Sequence, residues 1–329
     1  MVKPDDEDKP PPPPKKVAKA DKAGDDDKLP PKKSAKPADA GVRAKPKKVA
    51  SRDDDDASAE VDAEDRFAPI DAATAVSPGQ RAVDVTLGMS ITMRRMTFTI
   101  DPMLRATPPG YKGIPVAGAV VDATVYPLAV FHKRHDIYKD IGLEVLYDLV
   151  LKLSSRDPMT GMVYPTEEAR YLVAPTFRHA FGSSATAPMV YGSLGYMGQR
   201  FNIKGMVDIP DVKYTMVTPG AGAKLPLLTP KAILGVDGRI YLITSTGAIQ
   251  DPNQYGGAKV FGYEASASVE YRFMPNLFAR AAVRYEKISF DFAGTGFQST
   301  SRDGNPMTQD VSAGTDTYFG GSVIVGVAY

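Results

Sequence analysis

The last eleven residues, Phe319-Gly-Gly-Ser-Val-Ile-Val-Gly-Val-Ala-Tyr329, sort into two sets on a period of two. Phe319, Gly321, Val323, Val325, Val327 and Tyr329 are apolar or small, and Gly320, Ser322, Ile324, Gly326 and Ala328 lie between them. That period predicts a strand with two different faces. Residues 261–271 repeat it: Phe261, Tyr263, Ala265, Ala267, Val269 and Tyr271 oppose Gly262, Glu264, Ser266, Ser268 and Glu270. After a Phe273-Met-Pro-Asn276 turn, residues 277–292 set Leu277, Ala279, Ala281, Val283 and Tyr285 against Arg280, Ala282, Arg284 and Glu286. The clearest faces belong to residues 138–154, where Ile141, Leu143, Val145, Tyr147, Leu149, Leu151 and Leu153 oppose Glu144, Asp148 and Lys152. Residues 82–100 alternate likewise, with Asp84 on the polar side, until the phase flips at Arg94-Arg95. A flip of that kind predicts a bulge or a strand end. Residues 113–126, 169–181, 188–202, 210–217 and 231–243 bring the expected count to ten, with twelve as the runner-up.

Ten steps at roughly 3.3 Å each, tilted by about 40°, rise about 25 Å, the height of the apolar band of an outer-membrane barrel. Aromatic residues close the ends of these rows at Phe261, Tyr263, Tyr271, Tyr285, Phe319 and Tyr329, where two interfacial girdles would sit. The chain thus resembles bacterial outer-membrane β-barrel proteins, whose terminal strand ends on an aromatic residue, usually Phe and here Tyr329. The resemblance covers residues 81–329 at the level of pattern and singles out no subfamily. It implies an all-β fold, a transmembrane antiparallel up-and-down barrel. It also implies contact with outer-membrane lipid, and with the barrel-assembly machinery through the C-terminal strand. The soluble alternative is a sandwich or lipocalin-like barrel with its apolar rows turned inward.

Connection lengths bear on the topology. With both termini in the periplasm the strand number is even, inner turns are short and outer loops long. Residues 182–187 and 273–276 fit inner turns, and residues 101–112, 155–168, 244–259 and 293–315 fit outer loops. Two connections disagree. Residues 203–209 are short for an outer loop, and residues 218–230 are long for an inner turn and could hide a further hairpin.

Composition divides the chain. In residues 1–66 half of the side chains are Lys, Arg, Asp or Glu, Pro10 to Pro14 are consecutive, and no aromatic precedes Phe67. Such a segment has too little apolar surface to offset its ordering entropy and reads as a disordered arm. Ahead of an outer-membrane barrel it would lie in the periplasm as a tether, resembling the spacers that cross the cell-wall layer and meeting periplasmic or cell-wall components. Residues 67–80 read as a linker. Basic and acidic blocks such as Asp53-Asp-Asp-Asp56 nearly cancel, and the net charge of +1 recruits no nucleic acid. Met1-Val-Lys-Pro-Asp-Asp-Glu-Asp shows no apolar signal region, although outer-membrane proteins need one, so a trimmed or misplaced start is expected. No apolar run is long enough for a transmembrane helix, so a membrane is crossed only by a closed barrel.

Candidate chemistry adds little. The chain has no cysteine and no tryptophan, hence no disulfide framework and no thiolate metal site. Its 13 methionines suggest copper or haem only weakly, since Met89 and Met93 fall on the apolar face. His132 and His135 share a basic turn on the expected inner side, and His179 sits near the inner end of its strand. Ten-stranded outer-membrane proteases of the omptin type need acidic groups and a histidine at the outer rim, so the likeness to them stops at strand count. Arg302-Asp-Gly-Asn-Pro306 is a turn signal, far from a full calcium loop. No cofactor, metal or catalytic set is expected.

What remains is a lumen with both signs of charge: Asp84, Arg94, Glu144, Asp148, Lys152, Glu264, Glu270, Arg272, Arg280, Arg284 and Glu286. In a narrow barrel these groups should pair across the interior, because unpaired buried ions are costly. The expected role is a structural, adhesion or complex-anchoring surface protein with a salt-bridged lumen. A small-solute pore comes second and a soluble ligand binder third.

Overall fold

A computed structural model describes residues 76–104, 107–131, 137–151, 153–156, 161–204, 210–227 and 229–329. Twelve strands are present: β1 (Val83–Ile100), β2 (Tyr111–Lys112), β3 (Val116–Val125), β4 (Ile141–Val150), β5 (Leu153–Arg156), β6 (Val163–Ala180), β7 (Met189–Ile203), β8 (Val212–Pro226), β9 (Ala232–Ser245), β10 (Ala258–Arg272), β11 (Leu277–Phe292) and β12 (Val311–Ala328). Two one-turn helices, α1 (Pro127–Phe131) and α2 (Phe297–Thr300), lie in connections.

Ten of the strands pair antiparallel in the order β1-β3-β4-β6-β7-β8-β9-β10-β11-β12, and β12 returns to β1. β2 adds to β1 and β5 to β6 as short extensions. β5 continues the line of β4: Leu149 faces Ala169 and Leu153 faces Thr166, four steps against three, which leaves one extra residue at the join. The seam between first and last strands runs in register from Asp84–Ala328 to Thr99–Ala313. It ends in three backbone bonds: the Tyr329 N–H donates to the Val83 carbonyl at 2.8 Å, and the Tyr329 carbonyl accepts from the Val83 N–H at 3.0 Å and from the Ala82 N–H. Closure removes every free sheet edge from the ring.

The barrel has two storeys. Near the termini the outer face is apolar: Val85, Leu87, Met89 and Ile91 on β1 and Val323, Val325 and Val327 on β12 are exposed, while Asp84, Thr86, Ser90 and Thr92 are buried. Past Arg94 the faces exchange character. Met96, Phe98 and Ile100 now point inward and Arg95, Thr97 and Thr99 outward, and on β11 Ile288, Phe290 and Phe292 are buried between Lys287, Ser289 and Asp291. The hydrophobic core therefore fills the far storey, the end away from the termini.

This corrects the expectation at Arg94-Arg95. Pairing with β12 runs unbroken through Arg94–Tyr318 and Arg95–Thr317, and the register shifts only at Thr99/Ile100. What flips there is the chemistry of the two faces, not the backbone. The long inner turn expected over residues 218–230 is also absent, since β8 runs on to Pro226. The ladder to β9 skips Thr218 and Pro219 and resumes in the same register at Gly220–Arg239. No further hairpin is hidden there, and ten is the barrel count. The outer loops expected over residues 155–168 and 293–315 are shorter too, because β6 starts at Val163 and β12 at Val311.

Candidate functional site: a closed, ion-paired interior

In the membrane-height storey the alternation that turns Leu and Val outward turns charged residues inward. Their pairs cross the lumen. Arg239 on β9 reaches Glu144 on β4 at 2.6 Å, and Arg170 on β6 reaches Glu264 on β10 at 2.5 Å. Arg284 on β11 lies 3.7 Å from Asp148 on β4, whose other oxygen accepts the Ser90 hydroxyl at 2.6 Å. Tyr241 donates to Glu264 at 2.8 Å. Glu286 is fully buried between Glu264 and Tyr318 on neighbouring strands, and neither carboxylate oxygen has a hydrogen-bond partner in the protein. A cavity of about 190 Å³ runs among these groups. Lys152 lies outside the described residues.

A second cluster sits at the terminal end. Arg280 binds Asp84 and Glu270, each at 3.1 Å, and lies 3.4 Å from Asp122. Arg81 contacts the same two acids, Asp84 at 2.7 Å and Glu270. Arg272 lies 3.5 Å from Glu270 and donates to the Val76 carbonyl. Residues just before β1 thus belong to the interior: Ser77, Pro78 and Gly79 are buried.

The far storey holds the third group. Arg94 on β1 binds Asp316 on β12 with two nitrogens, at 2.8 and 2.7 Å, across the seam. Asp316 also accepts the Tyr214 hydroxyl at 2.7 Å and that of Tyr318 at 3.2 Å. The Arg94 guanidinium lies 4.1 Å from the centre of the Phe201 ring. Above it Tyr255, from the β9–β10 connection, stacks on Phe98 at 4.6 Å and on Phe292 at 5.1 Å. These rings and Ile249 fill the barrel at its far end.

Outside, Phe261, Tyr263, Tyr271, Tyr285, Phe319 and Tyr329 are all exposed. Tyr285 faces Phe319 across the β11–β12 ladder, and its ring lies 6.2 Å from that of Tyr263. Tyr171 and Tyr196 continue the row, with rings 6.3 Å apart. Val323 is 67% exposed and Leu87 59%, whereas Asp316 and Glu286 are fully buried. A water-soluble barrel distributes these residues the other way round. The fold is that of a bacterial outer-membrane β-barrel. Lipid replaces water on the apolar face, and the closed ladder pairs the backbone of each strand with both of its neighbours, apart from short gaps at Pro175 and Pro219.

Among solved structures the barrel is similar to the outer-membrane protease OmpT of Escherichia coli, at 11% identity over 75% of this chain and 96% of that one, with a TM-score of 0.37. It is also similar to Neisserial surface protein A, at 11% identity over 75% and 97% with a TM-score of 0.29, and to OprG of Pseudomonas aeruginosa, at 9% over 77% and 99% with a TM-score of 0.23. No protein-family model and no curated protein matches the sequence.

Several interior residues carried no assignment from the sequence: Arg81, Asp122, Arg170, Lys224, Arg239 and Asp316. Arg170 and Arg239 lie in expected strands whose inward phase was not set. The signal for Asp316 was present in the alternation of Gly314, Asp316 and Tyr318 with Ala313, Thr315 and Thr317, whose faces carry the opposite chemistry. His179 is exposed at the terminal end, packed edge-on against Phe181 at 5.1 Å. His132 and His135 lie outside the described residues.

Proposed function

We propose that this protein is a sealed outer-membrane barrel that works at its surface and through its N-terminal arm, as a structural, adhesion or complex-anchoring component. The observation that carries the proposal is closure from within. Rings from β1, β7, β11 and the β9–β10 connection fill the far storey, and crossing ion pairs occupy the middle. A conducting pore needs a continuous polar path, which this packing interrupts. The arm of residues 1–66 then serves as a periplasmic tether to cell-wall components, and the C-terminal strand as the segment met by the barrel-assembly machinery. A catalytic role is not part of the proposal: among the described residues no histidine joins acidic groups at the far rim, where surface hydrolysis would need one.

Planar-bilayer recording of the purified barrel tests this directly. The expected record is flat, with at most rare small openings. Steady conductance whose ion preference shifts toward cations when Arg280 and Arg284 are neutralised together would refute the sealed reading in favour of a small-solute pore.

A further inference from the structure

Residues 76–81 do more than lead into β1. They cross the mouth at the terminal end. The Val76 carbonyl accepts from Arg272 on β10. Gly79 lies against Ala180 at the end of β6, so close that an added Cβ would stand 2.4 Å from the Ala180 methyl. The Gln80 side chain donates to the Ser183 carbonyl in the β6–β7 turn at 3.1 Å, and Arg178 on β6 donates to the Arg81 carbonyl. Arg81 then sends its guanidinium back across the mouth to Glu270 on β10. In the ring β6 and β10 stand four strands apart, nearly opposite. A short segment fastened to both walls covers the opening between them.

Directly above it lies the interior cavity, and Pro78 and Arg81 form part of its floor. Its walls carry Asp122, Arg239, Arg280 and Ser322. Asp122 Oδ1 and Arg239 Nη1 are buried with no hydrogen-bond partner in the protein. Such atoms suit a chamber that exchanges water or small polar solutes more than a packed core.

We infer that residues 76–81 form a removable plug. The plug closes a blind chamber, and its release opens that chamber to the side of the termini while the far end stays shut. The inference rests on the sealed-barrel reading for the far end alone. Because the segment is the direct continuation of residues 1–75, displacement along the arm acts first on the plug bonds and only then on the β1 ladder.

The chain contains no cysteine, so Ser322→Cys places a unique thiol on the chamber wall. Its labelling by a small cationic thiol reagent is followed in the intact barrel and in two plug variants. Arg81→Gln removes the contacts to Glu270 and Asp84. Gly79→Val forces the segment off Ala180 without touching an ion pair. Only barrels that retain heat-modifiable gel migration are compared, and bilayer conductance is recorded in parallel. Labelling at least about tenfold faster in either folded variant, with no conductance, is the expected result. Unchanged labelling in both variants overturns the plug and leaves the sealed barrel standing. Fast labelling accompanied by steady conductance overturns the blind chamber, and with it the sealed far end.

Discussion

Replacing Arg94 with Met should be among the most damaging single changes in the barrel. Met keeps the apolar stem and discards the guanidinium. Asp316, fully buried, then loses a two-pronged partner and keeps only the hydroxyls of Tyr214 and Tyr318, at 2.7 and 3.2 Å. Removing one member of a buried ion pair costs about 3–5 kcal/mol, because the other charge is left without compensation. Loss of the contact with the Phe201 face adds about 1 kcal/mol. The two tyrosine donors still solvate the carboxylate, which brings the expected total to about 3–4 kcal/mol. Adding Asp316→Asn removes the stranded charge while keeping an acceptor for the tyrosines, so the double variant should recover about 2 kcal/mol. Urea unfolding in micelles, followed by tyrosine fluorescence and gel migration, reads both quantities. A single-variant cost below about 1 kcal/mol, or a double variant no better than the single, would show that the pair does not carry the seam.

Two further predictions concern where the membrane ends and what the arm contributes. Val325 and Thr317 share the outer face of β12, one at band height and one in the far storey. Val325→Arg should cost about 2–4 kcal/mol and Thr317→Arg about 0–1, and equal costs would mean that no lipid band ends between them. Deleting residues 1–66 while keeping residues 76–81 should leave the urea midpoint of the barrel unchanged, since that composition has little apolar surface to bury. A truncated chain that fails to fold in micelles would turn the arm into part of the barrel.

Period-two reading succeeded where lipid faces the strand, as in β10 and the end of β12, because burial against lipid leaves apolar residues in one unbroken row. It faltered where the solvent outside changes. At Arg94 the strand leaves the band, so the outward face must become polar and the inward face turns apolar to fill the barrel. The backbone keeps its register, while the pattern reads as a slip. Pro219-Gly-Ala-Gly222 misled for another reason. Its residues have the chemistry of a turn, yet an added Cβ at Gly222 would stand 2.5 Å from the Tyr191 ring, and one at Gly220 2.9 Å from the Arg239 side chain. These small residues leave room for large neighbours across the ladder. Turn composition alone does not distinguish a bend from a recess. Pairing partners were beyond the sequence altogether. Glu264 lies on a legible inward face, but its bond to Arg170 joins strands on opposite sides of the ring and follows from strand number, tilt and closure together. The same dependence explains the ion-paired interior. Arg170, Arg239 and Arg284 are tolerable because closure brings Glu264, Glu144 and Asp148 to them across a narrow lumen, and closure is tolerable because those charges do not remain alone. A wider ring from the same strands would strand the ions and open the centre, so narrowness and ion pairing support one another.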